Sequence, residues 1–149
     1  DLYGIGWNQP VTRLERNVPR LVEQYSTYRG RVKNKWDVLP RYRFCLAYEN
    51  IQGEPGYITE KIFDVMRCGS IPIYWGAPNI GDFVDEAAFV DRRQFKSDAE
   101  LAEYLLSIDE KRYMEMKEAV STYLASQRFA RFLPQAFADN MIRSLGLKS

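Results

Sequence analysis

Three side chains of complementary chemistry crowd the run GYITEK at residues 56–61. Tyr57 offers a phenol, Glu60 a carboxylate and Lys61 an ammonium. They stand where an apolar-periodic stretch begins, at what reads as a helix start. Such a start leaves backbone N–H groups without intrahelical partners and carries partial positive charge. An ammonium beside those amides makes a site for a phosphorylated ligand. Each residue also has a structural reading. Lys61 can pair with Asp64, Glu60 can serve only as a favourable charge at the positive helix end, and Tyr57 can pack over its loop. Glu60 and Asp64 are like charges at i,i+4, which is mildly unfavourable on a helix. Helix stability alone therefore does not explain the crowding.

The elements that position these residues are legible around them. Ile58, Ile62 and Met66 recur at helical spacing, and Phe63 and Val65 widen the stripe. Thr59 can cap the helix through its hydroxyl, and Gly69 sits where the helix should stop. Ile71, Ile73 and Tyr74 follow as a β-rich run ending before Gly76. Upstream, FCLAY at residues 44–48 reads as a buried parallel strand, and 49–56 as a loop with two glycines and Pro55. Residues 76–79 read as a turn and 89–90 as a short strand. Helices are expected over 98–108 and 109–125, and on both sides of Pro134 from residue 128 onward. Phe137, Met141 and Leu145 stand at i,i+4 spacing in that tail. Nearer the N-terminus, residues 1–7 suggest a strand, 18–28 a helix broken by Gly30, and 31–39 a second short helix stopped by Pro40.

Strands alternating with helices predict an α/β fold with a parallel sheet. A Rossmann-like, doubly wound domain follows, with its ligand at the carboxyl ends of the strands. The loop 49–57, the turn 76–79 and the helix start at Thr59 should share that edge. No GxGxxG occurs, which counts against a nicotinamide enzyme.

Composition narrows the class. The 149 residues suffice for one domain with a sizeable core, and 46% hydrophobic with 28% charged residues is ordinary for a globular chain. A net charge of +1 gives no basic field for nucleic acid or an anionic membrane. No apolar run approaches the roughly 20 residues of a membrane span. The chain has no histidine, which removes Ser-His and Cys-His dyads and argues against zinc. Cys45 and Cys68 read as buried free thiols. No signal peptide is visible, and the abrupt start at Asp1 suggests a piece of a longer protein.

Three blocks carry a resemblance. YRFCLAYEN at 42–50, GYITEK at 56–61 and GSIPIYWG at 69–76 occur in order and at suitable spacing. Together they resemble the α-1,3-fucosyltransferase family, glycosyltransferase family 10. The likeness covers most of the chain but only the C-terminal half of a family enzyme. It implies the nucleotide-sugar domain, residues 1–149, of a two-domain GT-B transferase whose N-terminal acceptor domain lies outside this chain. The implied function is inverting transfer of L-fucose from GDP-fucose to a glycan hydroxyl, with α-1,3 linkage favoured. The implied partners are GDP-fucose and an acceptor containing galactoside or N-acetylglucosamine, with no nucleic acid and no membrane span.

Residue by residue, Tyr57, Glu60 and Lys61 match the family's donor-binding positions, and Glu49 and Asn50 match its Glu-Asn pair after the strand. Glu60 would accept from the ribose hydroxyls, and Lys61 and the helix amides would stabilise departing GDP. Tyr57 would donate to a phosphate or the sugar. Asn50 either bonds donor hydroxyls or pins the loop. Arg43 stands where the family usually has lysine and should mark the strand's start. Tyr74 and Trp75 read as core or pocket wall, and Asn79 as an Asx-turn. The family's general base and a diphosphate-binding arginine precede the portion seen here, so no catalytic residue is expected in this chain. The fragment should bind guanine nucleotide and not turn over. No cofactor and no metal site are expected, though a divalent ion stimulating the full enzyme stays open. Alternatives are a GT-B domain for GDP-mannose or a UDP-sugar, and a non-catalytic binding module. Two cysteines and no Asn-X-Ser/Thr sequon favour a bacterial, cytoplasmic or membrane-peripheral enzyme, with the Golgi lumen as the eukaryotic alternative.

Overall fold

The computed structural model describes residues 1–3 and 25–146. Chain contacts divide it into two compact units, Asp1–Val38 and Leu39–Ser149. In the first, Leu2 forms an isolated parallel bridge with Tyr28, and Arg29 Nε donates to Asp1 at 2.9 Å. Two local expectations change here. Residues 25–28 form a turn and the bridge, not the end of a helix; the rest of the expected 18–28 helix lies outside the described residues. The expected 31–39 helix reduces to a 3-10 turn, Lys35–Asp37, with a second, Leu39–Arg41, opening the other unit. Asn34 sets where the first begins: it is extended, and its side-chain oxygen accepts from Trp36 N at 3.1 Å as an N-cap, so the helical turn starts at Lys35 and not at residue 31.

The second unit holds a three-stranded parallel sheet. Its strands are β1 (Phe44–Tyr48), β2 (Ile71–Trp75) and β3 (Val90–Asp91), in spatial order β1-β2-β3. Helix α1 (Glu60–Arg67) makes the crossover from β1 to β2 and packs on both. Its Ile62, Phe63, Val65 and Met66 are all buried. Thr59 caps it, accepting from Lys61 N at 3.5 Å, and Gly69 ends it at φ +78°, a value that suits glycine. Ser70 then ties the turn to the strand's approach, its hydroxyl lying 2.7 Å from Leu39 O and 2.8 Å from Tyr42 O. Arg43 marks the strand's start: its carbonyl accepts from Ile71 N at 2.8 Å, and its guanidinium lies 4.0 Å over the Tyr113 ring. That is the amino end of the sheet, opposite the expected ligand edge.

Pro72 sits in the middle strand, where a missing N–H would normally break the ladder. Ile71 N points to β1, so residue 72 faces the β3 side. There β3 pairs only with Ile73 and Tyr74, so Pro72 deprives no partner. β1 departs from the expected buried strand. Among the described residues it lies at the edge of the sheet, and Leu46 is 59% exposed while Ala47 is 1% exposed. β2 is the strand buried on both faces, from Ile71 to Tyr74.

Helices α2 (Asp98–Ser107), α3 (Glu110–Leu124), α4 (Gln127–Ala130) and α5 (Pro134–Ser144) follow. Ser97, Asp109 and Ser126 cap the first three, each accepting from an amide of the first turn. Pro134 opens α5, where its lost N–H is an orphan anyway. α3 packs on β2 and α1, and Phe63 meets Phe132 at 4.5 Å and Phe129 at 5.5 Å. α5 buries no residue, and Phe137, Met141 and Leu145 are exposed along it. Cys45 and Cys68 form no disulfide and are only partly buried, short of the full burial expected.

Tyr123 in α3 is 3% exposed, and its hydroxyl has no hydrogen-bond partner among the described residues. Burial pushes its pKa up to about 12. Tyr123→Phe is therefore expected to raise stability at pH 7 by about 1 kcal/mol. An unfolded phenol ionises near pH ~10, so this side chain favours the fold fully below that pH. Its contribution is lost as pH rises towards about 12. Denaturant melts from pH 7 to pH 12 should show a flatter alkaline decline in the variant. A variant less stable than wild type at pH 7 would overturn this account.

Candidate functional site

The carboxyl ends of β1 and β2 and the start of α1 meet at one edge, as parallel strands joined by a helix require. β1 hands directly to Glu49, whose N–H donates to Trp75 O at 2.8 Å and extends the ladder by one bond. That places the Glu49 side chain under the turn leaving β2. The residue is 2% exposed. Its Oε1 accepts from Thr59 N at 2.8 Å and its Oε2 from Thr59 Oγ1 at 2.7 Å. Thr59 thus gives its hydroxyl proton to Glu49 and accepts the Lys61 amide proton. Lys61 Nζ lies 3.5 Å from Glu49 Oε2 and donates to Asn50 Oδ1 at 2.8 Å. Consecutive residues just after β1 therefore hold the cap and the first turn of α1. The Lys61 side chain keeps 32% exposure, so its head reaches solvent above a buried carboxylate.

The remaining sequence candidates fall on the same edge. Tyr57 is half-buried, and its carbonyl accepts from the Tyr74 hydroxyl at 3.5 Å. Glu60 is exposed on the first turn of α1. The structure thus brings Tyr57, Glu60, Lys61, Glu49 and Asn50 to one neighbourhood, with Glu49 beneath the others.

Four residues contribute that spacing alone did not assign to the site. Tyr74 is fully buried, yet its hydroxyl accepts from Ala77 N at 3.1 Å as well as reaching Tyr57. Burial raises its pKa, opposed by the Ala77 N–H bond. Gly76 is packed so closely that an added Cβ would overlap the Tyr74 hydroxyl and come within 2.5 Å of Glu49 Cγ. Asn79 Oδ1 accepts from Gly56 N at 2.9 Å, and its amide donates to Asp82 at 3.2 Å. It therefore ties the turn after β2 to the loop before Tyr57, a longer reach than the local Asx-turn expected. Arg93 braces the same turn by donating to Pro78 O at 2.8 Å while Asp91 chelates its guanidinium. Asn79 and Asp82 at residues 79 and 82 carried a detectable signal, a polar pair beside a turn. The Gly76 contact carried none. Among the described residues no cluster of three His, Cys, Asp or Glu side chains could hold a metal ion. No helix among them is long and apolar enough to cross a membrane.

The description of glycosyltransferase family 10 (fucosyltransferase), C-terminal part, matches residues 11–132. The chain belongs to this family. Among its relatives, the α-(1,3)-fucosyltransferase FucT of Helicobacter pylori is 40% identical over 87 residues, covering 57% of this chain and 18% of that protein. An α-(1,4)-fucosyltransferase of Arabidopsis thaliana is 41% identical over 90 residues, covering 60% of this chain and 21% of that protein. A crystal structure of α1,3-fucosyltransferase with GDP-fucose superposes with a TM-score of 0.54 at 38% identity, covering 64% of this chain and 28% of that one. This family 10 chain therefore has the α/β, Rossmann-like fold expected, with the parallel sheet of a GT-B transferase. It spans about a fifth of the length of the curated relatives it matches.

Proposed function

We propose that this chain is the donor-binding part of an inverting fucosyltransferase that moves L-fucose from GDP-fucose to a glycan hydroxyl in α-1,3 linkage. The observation that carries the reading is the Lys61 ammonium, held by Asn50 and Glu49 at the first turn of α1. It presents positive charge beside helix amides, which is what a diphosphate needs. Family membership and the solved relative with GDP-fucose support guanine nucleotide as the ligand. The two curated relatives differ in linkage, so support for the donor reaches further than support for α-1,3 regiochemistry.

In this reading Glu60 accepts from the ribose hydroxyls, and Tyr57 donates to a phosphate or the sugar. Lys61 and the α1 amides stabilise the charge that develops as GDP leaves. Asn50, which accepts from Lys61, bonds donor hydroxyls in this reading or serves only to pin the loop. The general base acts from outside this chain, so the chain binds and does not transfer. The proposed compartment is the bacterial cytoplasm, supported by two cysteines that form no disulfide and by the absence of an Asn-X-Ser/Thr sequon.

Calorimetric titration of the chain with GDP, UDP and ADP tests the donor. GDP is expected to bind tightest, and a preference for UDP would sink the proposal. A hydrogen bond to a charged partner contributes roughly 1.5–3 kcal/mol, so Lys61→Ala should weaken GDP binding at least about tenfold. Undiminished binding would remove Lys61 from the site. Incubation with GDP-fucose and a β-galactoside or N-acetylglucosamine acceptor should yield no fucosylated product. Robust transfer would refute the expected inactivity.

A further inference from the structure

We propose that Glu49 is a positioning residue, which touches no ligand but holds the α1 start and the Lys61 ammonium in place for a diphosphate. The inference rests on the donor reading above. The Glu49 side chain is 0% exposed, and its two oxygens already take the Thr59 N–H, the Thr59 hydroxyl and the Lys61 ammonium. A ligand hydroxyl would have to displace one of these bonds in a space closed by Gly76 and Tyr74. A direct donor contact is therefore poorly served by this geometry.

Holding Lys61 is well served. A lysine head on four rotatable bonds is a mobile charge, and each contact restricts it. Asn50 and Glu49 approach the ammonium from adjacent positions of one chain segment, itself locked into the β1–β2 ladder by the Glu49 N–H bond to Trp75. An ammonium has three donors; Asn50 takes one, Glu49 attracts the charge as an ion pair at 3.5 Å, and donors remain for a phosphate oxygen. Glu49 also draws the Thr59 hydroxyl proton, which turns the oxygen's lone pair toward the Lys61 amide. One buried carboxylate thus fixes the side-chain cation and the amides of the same anion site.

The test is a double-mutant cycle on the whole chain, with GDP affinity measured by calorimetry and guanosine binding by NMR titration. Glu49→Gln keeps the size and one acceptor but removes the charge. It is expected to weaken GDP binding about tenfold, to leave guanosine binding within about twofold, and to cost much less than tenfold when Lys61→Ala is already present, the remainder coming from the Thr59 cap. Additive losses would mean that Glu49 acts independently of Lys61, and would overturn the proposal. So would equal losses for GDP and guanosine, or GDP binding that is unchanged or tighter. If Glu49→Gln does not fold, Glu49→Asp withdraws the charge by one methylene and is expected to give the same pattern. A wild-type chain that binds no GDP would instead defeat the donor reading, which separates the two failures.

Discussion

Gly76→Ala is expected to abolish GDP binding and to destabilise the chain by about 3 kcal/mol, the upper end for inserting a methyl into a filled site. The reason is space. The new Cβ would overlap the Tyr74 hydroxyl and stand 2.5 Å from Glu49 Cγ. Neither neighbour can give way easily. The Tyr74 ring is fully buried and its hydroxyl is bonded at both ends, to Ala77 N and Tyr57 O. Glu49 is held by Thr59 and Lys61. Relief must therefore move the turn or the carboxylate, and either shift disturbs the start of α1. Chemical melts and GDP titration of the same preparation check both halves. A variant with wild-type melting would show that the turn relaxes without strain.

Glu49→Ala should be nearly as severe, by a different route. Truncation leaves the Thr59 amide and hydroxyl without their acceptor and the Lys61 ammonium without its carboxylate. Removing one partner of a buried charged network costs about 3–5 kcal/mol. Lys61 is 32% exposed and can partly rehydrate, so the lower end of that range applies. The α1 start should loosen first, seen as faster amide exchange at Glu60 and Lys61 before global unfolding. Exchange that stays at the wild-type rate would mean the cap survives without Glu49.

Much of this arrangement was legible because the signals were local. A threonine before an apolar 3.6-residue period, a glycine after it and a β-rich run beyond gave the β1–α1–β2 unit nearly to the residue. Capping and left-handed glycine operate within a few residues, so spacing reveals them. The partnership between Glu49 and Thr59 was hidden because it spans a loop whose path depends on the sheet register. The sequence offered Lys61 with Asp64 as a helix pair, but Asp64 is 8% exposed and α1 turns Lys61 toward β1. The exposure of Leu46 was invisible for a related reason. An apolar run reads the same at an edge as in the middle of a sheet, and only the strand order 1-2-3 among the described residues assigns β1 to the edge. Near Asn34 the helical turn starts four residues later than expected because Asn34 itself is the extended N-cap.

The closed ring of Glu49, Thr59, Asn50 and Lys61 has a consequence for how the edge discriminates. Its groups lose their conformational freedom when the chain folds, not when a ligand arrives. A rigid cation cannot follow a misplaced anion. A ligand whose phosphates sit an ångström away from Lys61 gains little from it, while one with the right spacing loses little entropy on docking. Under the proposed donor reading, selectivity among nucleotides at this edge rests on the distance between ribose and phosphate, measured against a ruler made by one strand end and one helix start.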